Sequence, residues 1–201
     1  KACEKNGALF VSDEVQAGAG RTGKMWAIEH HEVEPDMITW GKGMGSDVSI
    51  AGLSMRTDLA EKVEDYSQPN TWAANATTCA VCIENINIIT ENDMALVNRT
   101  AEIGEELLKQ LSEGAKDIQS IGDVRGKGLM IGIEMVEDKE SRKPLNPDAM
   151  AGLLFNLLNA GVITFPCGRY GNVVRFMPPL VITRQHASQA VDIFLETAKN
   201  I

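Results

Sequence analysis

Short apolar runs and apolar positions at helical spacing alternate along this chain of 201 residues. Short runs bounded by polar or Gly-rich segments predict strands, and from Asn75 the apolar spacing becomes helical. Asn146-Pro147 and Thr183 have the composition of helix N-termini. The predicted strands are 8–12, 37–40, 50–55, 118–124, 129–136, 162–165 and 173–177. The predicted helices are 24–32, 58–63, 75–90, 93–114, 147–159 and 183–199.

This alternation predicts an α/β protein of two domains, residues 1–92 and 93–201, because the polar break near residue 92 separates two helical segments. A polar, proline-containing loop is predicted at 66–70. The chain begins with Lys1, and residues 1–7 resemble the end of a helix closed by Gly7. We therefore expect the chain to be a piece of a longer protein.

The net charge of −9 and the lack of a basic stripe argue against a nucleic-acid partner and against an anionic membrane surface. No apolar run approaches the roughly 20 residues of a membrane-spanning helix. Cys79 and Cys82 form a CxxC pattern within a predicted helix, without the second ligand pair that a zinc site needs. We expect reduced cysteines, no metal and a cytoplasmic location.

The first two predicted strands lead into an acid and a lysine, Asp13 and Lys42. The carboxyl ends of parallel strands form the ligand-binding crevice of an open α/β sheet. A lysine amine and a carboxylate at that edge are the two groups that pyridoxal phosphate requires, one for its aldehyde and one for its ring nitrogen. Simpler interpretations remain: Asp13 as a helix cap and Lys42 as an exposed lysine.

The Gly-rich loop from Gly18 to Lys24 matches GxGxxG and also the first seven positions of GxxxxGK[ST]. Met25 lacks the hydroxyl that would bind Mg²⁺ at the eighth position. The next strand leads into Gly41-Lys42 where a dinucleotide site needs an acid. The pattern favours a tight loop, and a nucleotide-binding module remains the alternative from a different functional class.

Arg175 interrupts an apolar strand, and an arginine there is costly unless it is paired. Its partner is either the carboxylate of a substrate or an acid of the protein. The residues themselves leave both alternatives open.

Several motifs in order resemble the class III pyridoxal-phosphate-dependent aminotransferases of fold type I, which include the 4-aminobutyrate, ornithine and acetylornithine aminotransferases. The resemblance implies that the chain is the C-terminal half, with 1–92 as the C-terminal part of the large cofactor-binding domain and 93–201 as the small domain. The motifs occupy 12–24, 35–45, 70–75, 124–130 and 174–180.

The resemblance also assigns roles to individual residues, and it implies a homodimer. Lys42 would be the Schiff-base lysine, and Asp13 would pair with the ring nitrogen of the cofactor. Val15 would pack on the ring and Gln16 would reach its phenolic oxygen. Thr71 would bind the cofactor phosphate of the neighbouring subunit. Arg175 would hold a substrate carboxylate.

The implied reaction transfers the amino group of an amino acid, with ω-amino acids such as 4-aminobutyrate included, to a 2-oxo acid. Relatives of the same family are amino-acid racemases or epimerases, aminomutases and decarboxylating enzymes, and a non-catalytic remnant is a further alternative. This sequence departs from the family at Ser46–Ser49, where glycines and a proline are usual, and at Gly41. We expect the 201 residues on their own to be inactive.

Overall fold

The computed structural model describes residues 1–64 and 70–201, which form two compact units, residues 1–98 (unit 1) and 99–201 (unit 2). The loop predicted at 66–70 lies outside the described residues except for Asn70. The helices are α1 (Ala2–Lys5), α2 (Thr57–Ala60), α3 (Ala76–Gly114), α4 (Pro147–Asn159) and α5 (Arg184–Ala198). The strands are β1 (Val11–Asp13), β2 (Met37–Gly41), β3 (Ala51–Met55), β4 (Ile121–Lys127), β5 (Met130–Met135), β6 (Phe165–Cys167) and β7 (Val173–Phe176). Short 3₁₀ segments occupy Ala27–His31, Lys42–Met44 and Ala115–Asp117.

Unit 1 contains a three-stranded sheet in the order β1-β2-β3. β1 and β2 are parallel, with Val11 opposite Met37 and Asp13 opposite Thr39. β3 is antiparallel to β2, so the expectation of a parallel sheet holds only for the first pair. The segment 42–50 between β2 and β3 is shorter than the dozen or so residues that a parallel crossover requires, and the chain must turn back.

The long helix α3 is interrupted where the sequence predicted a break between two helices. Residues 91–94 have non-helical backbone angles, and Asn92, Asp93 and Met94 adopt positive φ values of 50°, 55° and 59°. The segment before the break contributes Cys82 and Ile89 to the core of unit 1. The assignment of residues 1–92 and 93–201 to a large and a small domain stays a prediction.

Unit 2 is built on an antiparallel sheet in the order β4-β5-β7-β6. Alternate residues of β5 are buried, as expected for a strand with one face on the core. Helices α4 and α5 and the end of α3 supply buried residues to that same core, so the helices cover one face. The other face carries the polar side chains of β4 and β5 and Arg175 of β7. The core strand residues are Ile121, Ile131, Ile133, Met135, Val174 and Phe176.

Both predicted helix caps of unit 2 are confirmed. The Oδ1 atom of Asn146 accepts a hydrogen bond from the Ala149 N–H at 2.9 Å, and the Oγ1 atom of Thr183 accepts one from His186 at 3.1 Å. Each cap satisfies a backbone donor that has no partner within its own helix. The two helices therefore begin where the sequence predicts.

Candidate active site

Asp13 and Lys42 lie at the same edge of the unit 1 sheet. Asp13 is the last residue of β1 and faces Thr39 of the parallel strand β2. Lys42 follows Gly41, the last residue of β2, so it lies three residues, or about 10 Å of extended chain, beyond Thr39. The parallel register thus brings both residues to the carboxyl edge, as the sequence predicted.

The carboxylate of Asp13 is exposed and only partly engaged. Its Oδ1 atom accepts hydrogen bonds from Thr39 Oγ1 at 3.0 Å and from the Val15 N–H at 3.2 Å. Turn residues, not a helix, follow Val15, so the interpretation of Asp13 as a helix cap is wrong. Both bonds use Oδ1, so within the described part of unit 1 Oδ2 keeps its lone pairs for another donor.

The neighbouring Glu14 was missed at the sequence level and orders the loop beyond Asp13. Only 3% of Glu14 is exposed. Its Oε1 atom accepts hydrogen bonds from Ser12 Oγ at 3.0 Å and from the Ile28 N–H at 2.8 Å, and its Oε2 accepts one from Ala27 at 2.9 Å. Glu14 therefore joins the end of β1 to the 3₁₀ segment. The sequence did contain one signal, since Glu14 lies two residues after Ser12 at the end of a strand, and an acid that is buried there needs hydrogen-bond partners.

The Gly-rich loop is packed into unit 1. Gly18, Gly20 and Gly23 are buried, and Gly20 and Gly23 adopt positive φ values of 81° and 83°. A Cβ atom at Gly18 would lie 2.8 Å from the indole of Trp26, so only glycine fits there. These observations support a tight structural loop, with its glycines used for turns and close packing. Val15 and Gln16 are half-buried at its start.

An open cavity of about 800 Å³ borders Lys42 in unit 1. Asn70 and Trp72 line its wall, whereas Thr71 between them and Asp13 do not. Thr71 is exposed in the turn that precedes α3. Among the described residues of the wall, Lys42 and Asp47 carry the charges. The structure therefore brings the lysine and the 70–74 segment to one cavity and leaves Asp13 outside it.

The turn that carries Lys42 is held from α3. Lys42 is exposed and adopts a positive φ of 44°, which is uncommon for a residue with a side chain. The Nδ2 atom of Asn85 donates hydrogen bonds to the carbonyls of Gly43 at 2.5 Å and Met44 at 3.2 Å. Met44 is buried in the same core as Cys82. Asn85 was not singled out from the sequence, because a polar residue within a helix gives no sign of a partner 42 positions away.

Arg175 is half-buried in β7, between Gly132 of β5 and Phe165 of β6. Within unit 2, all of whose residues are described, its guanidinium forms no ion pair. Arg125 of β4 differs, since it pairs with Asp123 at 2.6 Å and with Glu134 at 2.7 Å. The hydrogen bonds that Arg125 donates to Asp123, and next those to Glu134, raise the pKa of Arg125. The alternative of an internal salt bridge to Arg175 therefore has no support within unit 2.

A comparison with protein families identifies the family of this chain. Residues 1–197 match the family model described as aminotransferase class-III. The chain belongs to this family. The predicted resemblance and the predicted α/β fold class are therefore confirmed, since the family's aminotransferase structures match over nearly the whole chain.

The proteins similar to this class-III aminotransferase chain include both racemases and aminotransferases by name. An alanine/serine racemase of Pyrococcus horikoshii is 38% identical over 200 residues, which are 100% of this chain and 41% of the racemase. The 4-aminobutyrate aminotransferase of Escherichia coli is 32% identical over 95% of this chain and 44% of its own length. The chain thus spans less than half of the curated relatives it matches.

Solved structures agree with the fold. An aminotransferase of Bacillus anthracis superposes with a TM-score of 0.92 at 33% identity, covering 99% of this chain and 46% of its own. The ornithine aminotransferase of Plasmodium yoelii gives a TM-score of 0.86 at 30% identity, covering 98% of this chain and 50% of its own. In the residues that the structure describes, no helix has the length and apolarity to cross a bilayer. The described residues also include no group of three or more His, Cys, Asp and Glu side chains suited to a metal.

Proposed function

We propose that this chain is part of a pyridoxal-phosphate-dependent aminotransferase that moves the amino group of an amino acid to a 2-oxo acid. The observation that carries the proposal is the placement of Asp13 and Lys42 at one carboxyl edge of parallel strands. The family match supports transamination in general. The name of the E. coli relative supports an ω-amino acid such as 4-aminobutyrate as donor. The resemblance to the family favours a homodimer, and the free cysteines of the described residues favour a cytoplasmic location.

The described residues fit the cofactor by their chemistry. Lys42 borders a cavity and offers a primary amine, and Asp13 offers a carboxylate oxygen without a protein partner in the described part of unit 1. When bound, pyridoxal phosphate supplies an aldehyde and an electron-withdrawing ring. Val15 and Gln16 lie two and three residues after Asp13, and they would pack against the ring and donate to its oxygen. Thr71 would donate its hydroxyl to the phosphate of the partner's cofactor.

The chain's own groups divide the work of the reaction. The Nζ atom of Lys42 would hold the cofactor through its aldehyde, and the same amine would move a proton to and from the substrate carbon. The carboxylate of Asp13 stabilises a positive charge on the ring nitrogen. The guanidinium of Arg175, unpaired within unit 2, binds the substrate carboxylate through two parallel hydrogen bonds.

Racemisation is the second candidate, because the alanine/serine racemase of P. horikoshii and the leucine/methionine racemase of Thermococcus litoralis are 38% and 33% identical to this chain. The same lysine and acid would serve both reactions. The two reactions differ in their products: transamination gives a keto compound or a semialdehyde together with a new amino acid, whereas racemisation gives the opposite enantiomer. The buried Gly-rich loop, in contrast, gives no support to a nucleotide-binding module.

Covalent trapping tests the proposal. The longer protein that includes this chain is mixed with pyridoxal phosphate, reduced with borohydride and digested, and the modified peptide is located by mass spectrometry. We expect the phosphopyridoxyl mass on Lys42, its loss in Lys42→Arg, and its retention in the control Lys62→Arg, since Lys62 is exposed and distant in sequence from the site. Labelling at other lysines without Lys42 would refute the proposal.

A turnover assay separates the two candidates. ¹⁵N-labelled 4-aminobutyrate with 2-oxoglutarate, and L-alanine with or without a 2-oxo acid, are offered to the same protein. Transfer of ¹⁵N to glutamate supports transamination, whereas D-alanine formed without any 2-oxo acid supports racemisation. The 201-residue chain on its own is expected to turn over neither substrate.

A further inference from the structure

Glu134 lies between two arginines on the face of the unit 2 sheet that points away from the helices of this unit. Gly132 of β5 faces Arg125 of β4 on one side and Arg175 of β7 on the other. Side chains of directly paired residues share one face of a sheet, and residues two apart on a strand share it as well. Glu134 therefore lies diagonally from both arginines, at about 7–8 Å between Cα atoms, a distance that long side chains can bridge.

In the structure Glu134 pairs with only one of these two arginines. Its Oε2 atom lies 2.7 Å from the Nη1 atom of Arg125, which also contacts Asp123 at 2.6 Å. Within unit 2 no ion pair joins Glu134 to Arg175. Gly132 itself places no side chain on this face, and Val173 of β7, which is paired with Glu134, lies next to it, with its Cγ1 atom 3.2 Å from the position of a Cβ at Gly132. The structure thus shows Glu134 held by the guanidinium of Arg125 and not by that of Arg175.

We propose that Arg125 is a positioning residue that holds Glu134 away from Arg175 and so keeps the Arg175 guanidinium available for a substrate carboxylate. The substrate part of this inference rests on the proposed function. The pairing of Glu134 with Arg125 does not rest on the proposed function, because it depends only on the sheet register and on charge. Without Arg125, the carboxylate of Glu134 loses its partner, and Arg175 is the next cation within its reach on this face.

Replacing the Glu134–Arg125 pair by a Glu134–Arg175 pair requires little energy because the charged groups are partly exposed. About half of the Arg125 and Asp123 side chains and 37% of the Glu134 side chain are accessible to water. Ion pairs at such sites contribute weakly and are screened by salt. A new pair between Glu134 and Arg175 would therefore weaken carboxylate binding by about two- to fivefold at low ionic strength.

Four variants of the longer protein that includes this chain test the proposal: Arg125→Ala, Arg125→Ala/Glu134→Gln, Glu134→Gln, and Lys127→Ala as control. Lys127 lies on the same strand and face as Arg125 and carries the same charge, but it forms no ion pair within unit 2. If circular dichroism shows that Arg125→Ala does not fold, Arg125→Gln is used in its place. The first measurement is the ¹⁵N NMR signal of the Arg175 Nε–H group, assigned by its loss in Arg175→Lys.

We expect the Arg175 signal to shift and its guanidinium rotation to slow in Arg125→Ala, and to return to the native values in the double variant. Glu134→Gln and Lys127→Ala should leave the signal unchanged. An unchanged signal in Arg125→Ala, or a shift that persists in the double variant, would overturn the proposal. Neither result depends on the cofactor.

The second measurement is substrate affinity in the longer protein. Arg125→Ala should raise KM for the carboxylate substrate about two- to fivefold with kcat little changed, and Glu134→Gln added to it should restore KM. A fall in kcat that the second substitution does not restore would indicate a structural role and refute the proposal. If Lys42 fails to be trapped while the Arg175 signal behaves as expected, the proposed function fails and the partner choice of Glu134 stands.

Discussion

Replacement of Glu14 by glutamine tests whether one buried carboxylate holds the loop beside the candidate cofactor site. Glutamine has nearly the same shape, so the substitution changes hydrogen bonding and charge while leaving the volume of the core unchanged. In the native chain the carboxylate accepts three hydrogen bonds, from Ser12 Oγ and from the backbone N–H groups of Ala27 and Ile28. Glutamine can accept at one oxygen only, and its NH₂ group must face a donor.

The cost follows from the two orientations of the amide. With its oxygen in the place of Oε1, glutamine keeps the bonds from Ser12 and Ile28 and places its NH₂ group against the Ala27 N–H. One charge-assisted bond is then lost, at about 1.5–3 kcal/mol, and the two that remain weaken because the acceptor is neutral. The opposite orientation keeps the bond from Ala27 and lets the NH₂ group donate to the Ser12 hydroxyl, but it leaves the Ile28 N–H without its acceptor. Since Glu14 is 3% exposed, water cannot replace the lost partner, and we expect unit 1 to be destabilised by about 2–4 kcal/mol.

Tryptophan fluorescence reports selectively on this unit, because all three tryptophans of the chain, at positions 26, 40 and 72, lie in unit 1. Trp26 and Trp40 pack against its core. In a urea titration, Glu14→Gln should lower the midpoint of the fluorescence transition by about 1–3 M for an m-value typical of a unit of this size. The control Glu61→Gln removes a carboxylate that is exposed. A midpoint equal to that of the control would show that Glu14 does not hold the loop.

Three further outcomes are expected. Asn85→Ala removes two hydrogen bonds to the turn that carries the lysine and should destabilise unit 1 by about 1–2 kcal/mol in the same titration; an unchanged midpoint would contradict this. Burial raises the pKa of the Cys82 thiol, so this thiol ionises at a lower pH in the unfolded chain than in the folded chain. The free energy of unfolding should therefore fall as the pH rises above the ordinary thiol pKa. A fall that persists in Cys82→Ala would contradict this. Gly104→Ala drives a Cβ atom into the backbone of Gly128 and should destabilise unit 2 by about 1–3 kcal/mol in calorimetry. At Gly152 a Cβ atom would meet no atom within 4 Å, so Gly152→Ala should stabilise its helix by about 0.5–1 kcal/mol. Equal effects of the two substitutions would contradict the close approach of Gly104 to Gly128.

The placement of Asp13 and Lys42 at the ends of two strands could be predicted from the sequence, because buried strands appear as short apolar runs. Asp13 ends one strand and Lys42 follows another, and their common edge follows from the parallel pairing of neighbouring strands. The pairing of β3 was not anticipated, since direction depends on the length of the connection and not on the strand's own residues. The roles of Val15, Gln16 and Thr71 stay predictions, because they concern a cofactor and not contacts within the chain.

Local patterns along the chain determined the family, the helix caps at Asn146 and Thr183, and the choice of Asp13 and Lys42 as candidate site residues. These features depend on neighbours within a few positions, which a sequence displays directly. Tertiary structure decided which groups are paired: Glu14 with the loop 27–28, Asn85 with the turn after Lys42, and Glu134 with Arg125 and not Arg175. A hydrogen bond or an ion pair depends on distances of 2.5–3.5 Å between atoms that the fold brings together from distant positions, and no local pattern encodes such a choice.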